Sequence, residues 1–378
     1  MNIALLTDGI YPVVTGGMQK HSYYMAKFLA RKGVHVDLYL LMPKNEKIDL
    51  LHKYFSDDEL KNITFLEIKF PKLVPFPGHY LLESYIYSKR IFSVIENRKR
   101  VDLIYAQGFT GWKLISEKKR GAKLPVIWLN FHGLEMFQKA KSLSAKLKQM
   151  LFISTVQSLI KNADYTISLG GKITAILEKF IPPKKIITLP IGIDKNWLAD
   201  STQNGNSIRT LCFIGRFEER KGIRELNSVL KSLLPKYDFH FEFVGFVPEE
   251  IQIKNNKIKY YGTVQDEQKI KEILLNSDAL ILPSHAEGMP TVILEAMSSG
   301  CAIIATDVGA VNTMVSNENG WLIDIMNEAQ LSDAIKELLT LSEDDLRTKK
   351  NKSRELTKEH FIWDSVIEKT ILEIERVI

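Results

Sequence analysis

The spacing of short apolar runs constrains this chain more than any other feature. Runs rich in β-branched and aromatic residues fall at 2–7, 34–41, 63–70, 103–106, 126–130, 165–169 and 186–189, and again at 210–214, 240–244, 258–260, 279–282, 302–305 and 320–323. Their nearly unbroken apolar character suits strands covered on both faces, as in a parallel sheet. Between them, residues 21–32 and 144–163 carry helical spacing. Strands that alternate with helices make βαβ units, and 378 residues are enough for two domains. The expectation is therefore α/β: two Rossmann-like, doubly wound parallel-sheet domains. The first spans 1–194, a polar Gly-containing stretch at 201–207 reads as a linker, and the second spans 207–360. In such sheets ligands sit beyond the carboxyl ends of the strands, so the loops there are where chemistry is expected.

Composition narrows the class. Cys212 and Cys301 are the two cysteines, too few for a disulfide framework or a four-cysteine zinc site. The apolar runs fall well short of the roughly 20 residues that span a bilayer. The N-terminus enters a strand pattern without a basic leader, so a cytoplasmic protein is expected. Charge is divided unevenly. Residues 1–194 hold 29 Lys and Arg against 16 Asp and Glu, a formal +13, whereas residues 195–378 hold 22 against 29, a formal −7. That asymmetry points to an anionic partner for the first half.

Four loops carry candidate chemistry. The first strand is followed by Asp8 and then Gly16-Gly17-Met18 at a helix start, where backbone N–H groups and the helix dipole favour an anion. It is neither of the glycine patterns of nicotinamide or P-loop sites. The fifth strand leads into Asn130-Phe131-His132-Gly133. The first strand of the second half leads into Gly215-Arg216-Phe217-Glu218-Glu219-Arg220-Lys221-Gly222. Its Arg216 and Lys221 suit a diphosphate. The most specific segment runs from Pro283 to Met297, with Glu287 on the loop, Gly288-Met289-Pro290-Thr291-Val292 at a helix N-terminus, and Glu295 on that helix. Exposed amides and a carboxylate there can bind sugar hydroxyls or phosphate.

Taken in order, these motifs resemble the retaining glycosyltransferases of family 4 over nearly the whole chain. The resemblance implies the GT-B fold, two domains facing each other across a cleft, with the C-terminal helix (361–378) crossing back to the first. It implies that Gly16 and Gly17 approach the donor diphosphate and that Arg216 and Lys221 neutralise it in place of a metal. Glu287 would hold the donor sugar with the amides of Gly288 to Thr291, with Met289, Pro290 and Val292 in the same turn. Glu295 would bind the ribose. His132 would sit against the donor sugar, and Gly215 and Val264 beside the nucleotide. Ala302, Ala310 of Gly309-Ala310, and Thr313 depart from the family's common pattern.

The implied reaction transfers a hexose or N-acetylhexosamine from a nucleotide diphosphate sugar, UDP before GDP, to a hydroxyl of a glycan or lipid-linked glycan, with retention. No cofactor and no metal are expected, and the nucleotide sugar is a substrate. Arg216 and Lys221 would stabilise charge on the leaving phosphate. Residues 70–100 interleave Phe70, Phe76, Tyr80, Tyr85, Tyr87 and Phe92 with Lys72, Lys89, Arg90, Arg98, Lys99 and Arg100, and Lys139, Lys141, Lys146 and Lys148 follow. They suggest a peripheral contact with an anionic membrane surface, with no nucleic-acid partner. The alternatives are a nucleotide-sugar 2-epimerase of the same fold and a non-enzymatic anion- or nucleic-acid-binding protein.

Overall fold

The computed structural model describes residues 1–43, 46, 48–98, 101–138, 143–199 and 208–378, with side chains omitted for 143–148. The stretch 201–207, together with Lys99, Arg100, Lys139, Lys141 and the side chains of Lys146 and Lys148, lies outside the described residues. By its internal contacts the chain divides into one unit of Met1–Ile191 with Trp363–Ile378 and a second of Gly192–Ile362.

The first unit holds β1 (Asn2–Leu6), β2 (His35–Leu40), β3 (Ile63–Glu67), β4 (Leu103–Gln107), β5 (Val126–Asn130), β6 (Tyr165–Ser168) and β7 (Ile186–Thr188). They form one sheet in the order β3-β2-β1-β4-β5-β6-β7, parallel at every pairing. The second unit holds β8 (Arg209–Ile214), β9 (Phe239–Val244), β10 (Ile258–Tyr260), β11 (Ala279–Leu282), β12 (Ala302–Thr306) and β13 (Gly320–Ile323). Their order is β10-β9-β8-β11-β12-β13, again all parallel. The central strands are buried on both faces: β4, β11 and β12 are buried at every residue, whereas β3, β7 and β10 at the sheet edges each expose a residue. This is the doubly wound α/β architecture expected from the apolar runs.

The strand order reverses direction between β1 and β4 in the first sheet and between β8 and β11 in the second. Loops leaving neighbouring strands at such a point diverge to opposite sides and leave a crevice at their carboxyl ends. All four candidate loops leave β1, β5, β8 or β11, at or next to these points.

Several boundaries differ from the sequence reading for local reasons. The third strand ends at Glu67 rather than residue 70, because its partner β2 stops at Leu40; Ile68 N–H to Leu40 O is the last bond of that edge. The first helix begins at Gly17, at the Gly-Gly pair and four residues before the stretch of helical spacing at 21–32. The aromatic–basic segment is not a single solvent-facing surface. Most of it forms the helix His79–Glu96, which buries Tyr87, while Phe70 and Phe92 pack on the core. Phe76 and Tyr80 remain exposed, as do Lys72, Lys89 and Arg90.

The final helix, Trp363–Val377, belongs to the first unit. Its Trp363 is fully buried and stacks on Tyr24 and Phe28 of the helix Gly17–Arg31, with ring centroids 5.8 and 6.1 Å apart. Among the described residues no helix is long and apolar enough to cross a membrane.

Candidate active site

The second unit brings the charged motif together. The turn after β8 ends at Lys221-Gly222, and the loop after β11 runs from Pro283 to Glu287. Gly222 has φ 69°, and a Cβ there would meet Pro283 O at 2.2 Å. Glycine is required because the two loops touch at that point. His285 N–H donates to Arg220 O (2.7 Å), fastening them further. Consequently Lys221 Nζ donates to Glu287 Oε1 at 2.6 Å, with both side chains largely buried. Arg220 Nη1 lies 3.6 Å from Glu287 Oε2 and donates to Ala286 O at 3.2 Å. Glu218 draws in Arg220 Nε (2.7 Å) and Arg216 Nη2 (3.0 Å), but the Arg216 side chain stays 80% exposed. Arg216 and Glu287 are therefore held very differently, one loosely at the rim and the other clamped.

The helix Thr291–Ser298 starts four residues beyond Glu287, with Pro290 as its cap and no side chain bonded to its first-turn amides. Met289 and Pro290 are buried, Thr291 and Val292 partly so, and Glu295 lies on the buried side of the helix. Behind the loop, Gly309 (φ 57°) sits so close that a Cβ would meet Glu287 O at 2.2 Å and Gly288 O at 2.3 Å. Ala310 N–H donates to Gly288 O at 2.7 Å, and Ala310 is fully buried. The departure from a common Gly-Gly is thus accommodated at the second position, while the first keeps its glycine.

Beside this cluster is a pocket of about 410 Å³ lined by Ile214, Gly215, Arg216, Phe217, Val244, Gly245, Phe246, Thr263, Val264 and Ile270. Its size and largely apolar walls suit a planar ring. Gly215 and Val264 both line it, next to the cations.

The first unit carries Gly16, Gly17 and His132. Gly17 opens its helix with no atom near the position a Cβ would take, and Gly16 precedes it as the cap. His132 adopts φ 58°, a conformation rare outside glycine. Asn130 explains its stability there: its Oδ1 accepts from His132 N–H at 2.8 Å. The strand register sets Gln107 of β4 against Asn130 of β5, and Gln107 Oε1 reaches His132 Nε2 at 2.6 Å. An amide oxygen only accepts, so this bond puts the imidazole proton on Nε2 and leaves Nδ1 as an acceptor. Asn130 Nδ2 donates to Tyr105 Oη (2.9 Å), and Tyr105 Oη lies 3.5 Å from His21 Nε2. The His21 ring meets His132 edge-on at 4.6 Å and Trp363 at 5.4 Å. Burial pushes His132 down to about 3. Burial, and then repulsion from His132, holds His21 well below the usual histidine range. Both rings are neutral at pH 7.

Sequence reasoning missed His21, Tyr105 and Gln107, and quoted Asn130, Glu218 and Arg220 without giving them roles. Gln107 and Asn130 could have been found from their place at the last residue of adjacent strands. His21 carries no such signal, since helix periodicity alone marks it as core. Among the described residues no three His, Cys, Asp or Glu are grouped so as to hold a metal ion.

Comparison with known proteins follows the same division of the chain. Residues 15–197 match Glycosyltransferase Family 4 and residues 208–341 match Glycosyl transferases group 1. The putative teichuronic acid biosynthesis glycosyltransferase TuaC of Bacillus subtilis is 31% identical over 159 residues, 39% of this chain and 40% of that protein. The N,N'-diacetylbacillosaminyl-diphospho-undecaprenol alpha-1,3-N-acetylgalactosaminyltransferase of Campylobacter jejuni is 24% identical over 344 residues, 85% of this chain and 87% of its own. Among solved structures, sucrose-phosphate synthase of Thermosynechococcus elongatus superposes with a TM-score of 0.82 over 99% of this chain and 98% of its own, at 18% identity. With two matched family segments, two doubly wound parallel sheets and the ordered loops at their switch points, the chain belongs to the family 4 glycosyltransferases of the GT-B fold.

Proposed function

We propose that this glycosyltransferase moves a hexose or N-acetylhexosamine from a nucleotide diphosphate sugar to a hydroxyl of a glycan or lipid-linked glycan, with retention and without a metal. The observation that carries the reading is the Lys221–Glu287 pair at the switch point of the second sheet, flanked by Arg220, Arg216 and a helix N-terminus. A donor diphosphate is the ligand that matches it. Its charge competes for Lys221 and is met by the Arg216 fork and the first-turn amides. Glu287, released from Lys221, then has its oxygens available for hydroxyls of the sugar. Glu295, one helical turn deeper, is assigned to the ribose, and the pocket beside Gly215 and Val264 to the base, with UDP preferred to GDP.

Departure of the nucleotide builds negative charge on the terminal phosphate. Preorganised cations there stabilise it, and losing one such contact costs about 3–4 kcal/mol, roughly 10²–10³ in rate. His132, neutral and fixed by Gln107 and Asn130, contributes a hydrogen-bonding edge to the sugar rather than a charge. The departing phosphate oxygen takes the acceptor proton, so Glu287 is not required as a nucleophile. Gly16 and Gly17 supply backbone amides to the diphosphate.

Similarity to TuaC and to an enzyme named for an undecaprenol-linked substrate supports an acceptor in surface polysaccharide or glycoconjugate synthesis. The first unit also has features of a peripheral membrane contact on the cytoplasmic face. Val74, Phe76 and Leu82 are exposed, as are Met150 and Leu151 on the helix Leu143–Asn162. The Tyr80–Phe152 ring contact joins the two segments, and Lys72, Lys89 and Arg90 are exposed on the first. Each basic group near an anionic leaflet adds on the order of 1 kcal/mol. Sedimentation with anionic vesicles at low salt tests this part; recovery of all protein in the supernatant rejects it.

The donor reading is tested by thermal shift with UDP, GDP, ADP, dTDP and CMP, and their sugar conjugates, without metal. Selective stabilisation by one nucleoside diphosphate, lost in Lys221→Ala, is expected. No stabilisation by any of them overturns the reading.

A further inference from the structure

The first unit contains a cavity of its own with a mixed wall, in which Met18, Phe70 and Phe109 stand among polar side chains. It is small, about 30 Å³, and its lining includes Asp8, Tyr80, Ser84, Gln107 and Thr110. A space of that size admits one water-sized group.

Most polar atoms around it are already spent. The Thr110 hydroxyl donates within reach of two carbonyls, Gln107 O at 2.8 Å and Leu6 O at 3.3 Å. The Tyr87 hydroxyl, also in the wall, donates to Thr7 O at 2.9 Å. Gln107 is different. It is completely buried, its Oε1 is taken by His132, and its Nε2 has no partner among the described residues. A buried amide with two idle donors costs about 1–3 kcal/mol, so an acceptor from outside the chain is favoured there. Asp8 brings a carboxyl to the same cavity; its Oδ1 accepts from Gln19 Nε2 at 2.7 Å.

An amide donor beside a carboxyl selects among ligand groups. A carboxylate or phosphate would meet the Asp8 charge, and an ammonium would meet the Gln107 N–H groups. A hydroxyl accepts from one and donates to the other, as a water molecule does, so an acceptor hydroxyl can take the place of a water held there. Burial raises the Asp8 carboxyl, but a hydroxyl satisfies it in either protonation state.

We infer that Gln107 and Asp8 form a hydroxyl-binding subsite for the sugar acceptor, seating one non-reacting hydroxyl and tying its presence to the Gln107–His132 bond. This deepens the transferase reading and rests on it. Gln107 becomes a positioning residue with two contacts, one to the histidine and one to the acceptor. The position of that hydroxyl on the ring would then select among acceptor sugars.

The test uses the full chain and saturation-transfer NMR with the methyl glycosides of glucose, galactose, N-acetylglucosamine and N-acetylgalactosamine. Thermal shift with UDP and GDP is measured in parallel. The expected result is a signal from at least one glycoside, weakened about tenfold or more in Gln107→Met and Asp8→Ala, each of which removes the hydrogen-bonding group. A monodeoxy analogue of the same glycoside should lose its signal on the wild type, a readout that does not depend on how either variant folds. Nucleotide stabilisation together with no glycoside signal overturns the subsite, as does equal binding of every monodeoxy analogue. Absence of nucleotide stabilisation in the wild type overturns instead the transferase reading beneath it.

Discussion

The two switch points of this molecule are built from the same frame and filled in opposite ways. Beyond β8 and β11 the groups are charged: Lys221 and Arg220 lie 2.6 and 3.6 Å from the Glu287 carboxylate, with Arg216 exposed at the edge. Beyond β4 and β5 they are neutral: His132, Gln107, Asn130, Tyr105 and His21 hold one another through short hydrogen bonds and ring contacts. A charged cluster survives partial burial because each charge has a partner, whereas two histidines packed edge to face survive because burial removes their protons. The lesson is that the carboxyl ends of two sheets of one architecture can carry a charged cluster in one unit and a neutral, hydrogen-bonded one in the other.

The largest expected effects separate the two regions by kind. Trp363→Ala should remove about 3–5 kcal/mol of stability, because it empties a fully buried site against Tyr24, Phe28 and His21. Urea unfolding should show the loss, while nucleotide affinity per folded molecule stays near wild type. Lys221→Ala should do the reverse. Its kcat/KM should fall by roughly 10²–10³, while the urea midpoint moves less than in Trp363→Ala because Arg220 Nη1, 3.6 Å from Glu287 Oε2, still faces the buried carboxylate. If both variants lose stability and turnover alike, the division of labour drawn here is wrong.

Acidity sharpens the comparison. His132 titrates near 3 in the fold and near 6.5 when unfolded, so protons bind the unfolded chain preferentially between those values. Stability is therefore complete above about pH 6.5 and declines as pH falls toward 3. Between pH 7.5 and 5.0, His132 alone should account for about 2 kcal/mol, and the lowered His21 adds in the same direction. Urea midpoints at the two pH values check this, and a His132→Asn variant should lose distinctly less. An unchanged pH dependence in that variant would show that the histidine is not held neutral.

Arg216→Ala is expected to have the smallest effect, about tenfold in donor affinity and nothing in stability. The side chain is exposed, and its ion pair among the described residues is with Glu218. Isothermal titration with the preferred nucleoside diphosphate provides the measurement. A loss as large as that of Lys221→Ala would mean that Arg216 moves in to become the principal phosphate contact.

Much of this was legible in the chain itself. The apolar runs mark the central strands because a parallel strand covered on both faces has no polar side to disguise it, while β9 and β10, which expose His240 and Lys259, are marked by their aromatic and β-branched residues. The Gly215–Gly222 and Pro283–Met297 segments are legible because a turn between strand and helix needs glycine and a cap at nearby positions, and the charged residues set among them stand out. The aromatic–basic stretch was harder. Tyr87 and Tyr80 lie seven residues apart in one helix, yet one is buried and the other exposed, and only the packing of that helix on the sheet decides which.

Amino-acid order by itself determined the alternation of strand and helix, the two-unit count and the identity of the four loops, since these follow from local periodicity and turn chemistry. Tertiary structure decided the pairings. It set Gln107 against Asn130 through strand register, brought Lys221 onto Glu287 through a glycine contact, and laid Trp363 beside His21 across more than 300 residues of chain. Those contacts depend on burial and on the close approach of distant segments, which no local pattern encodes.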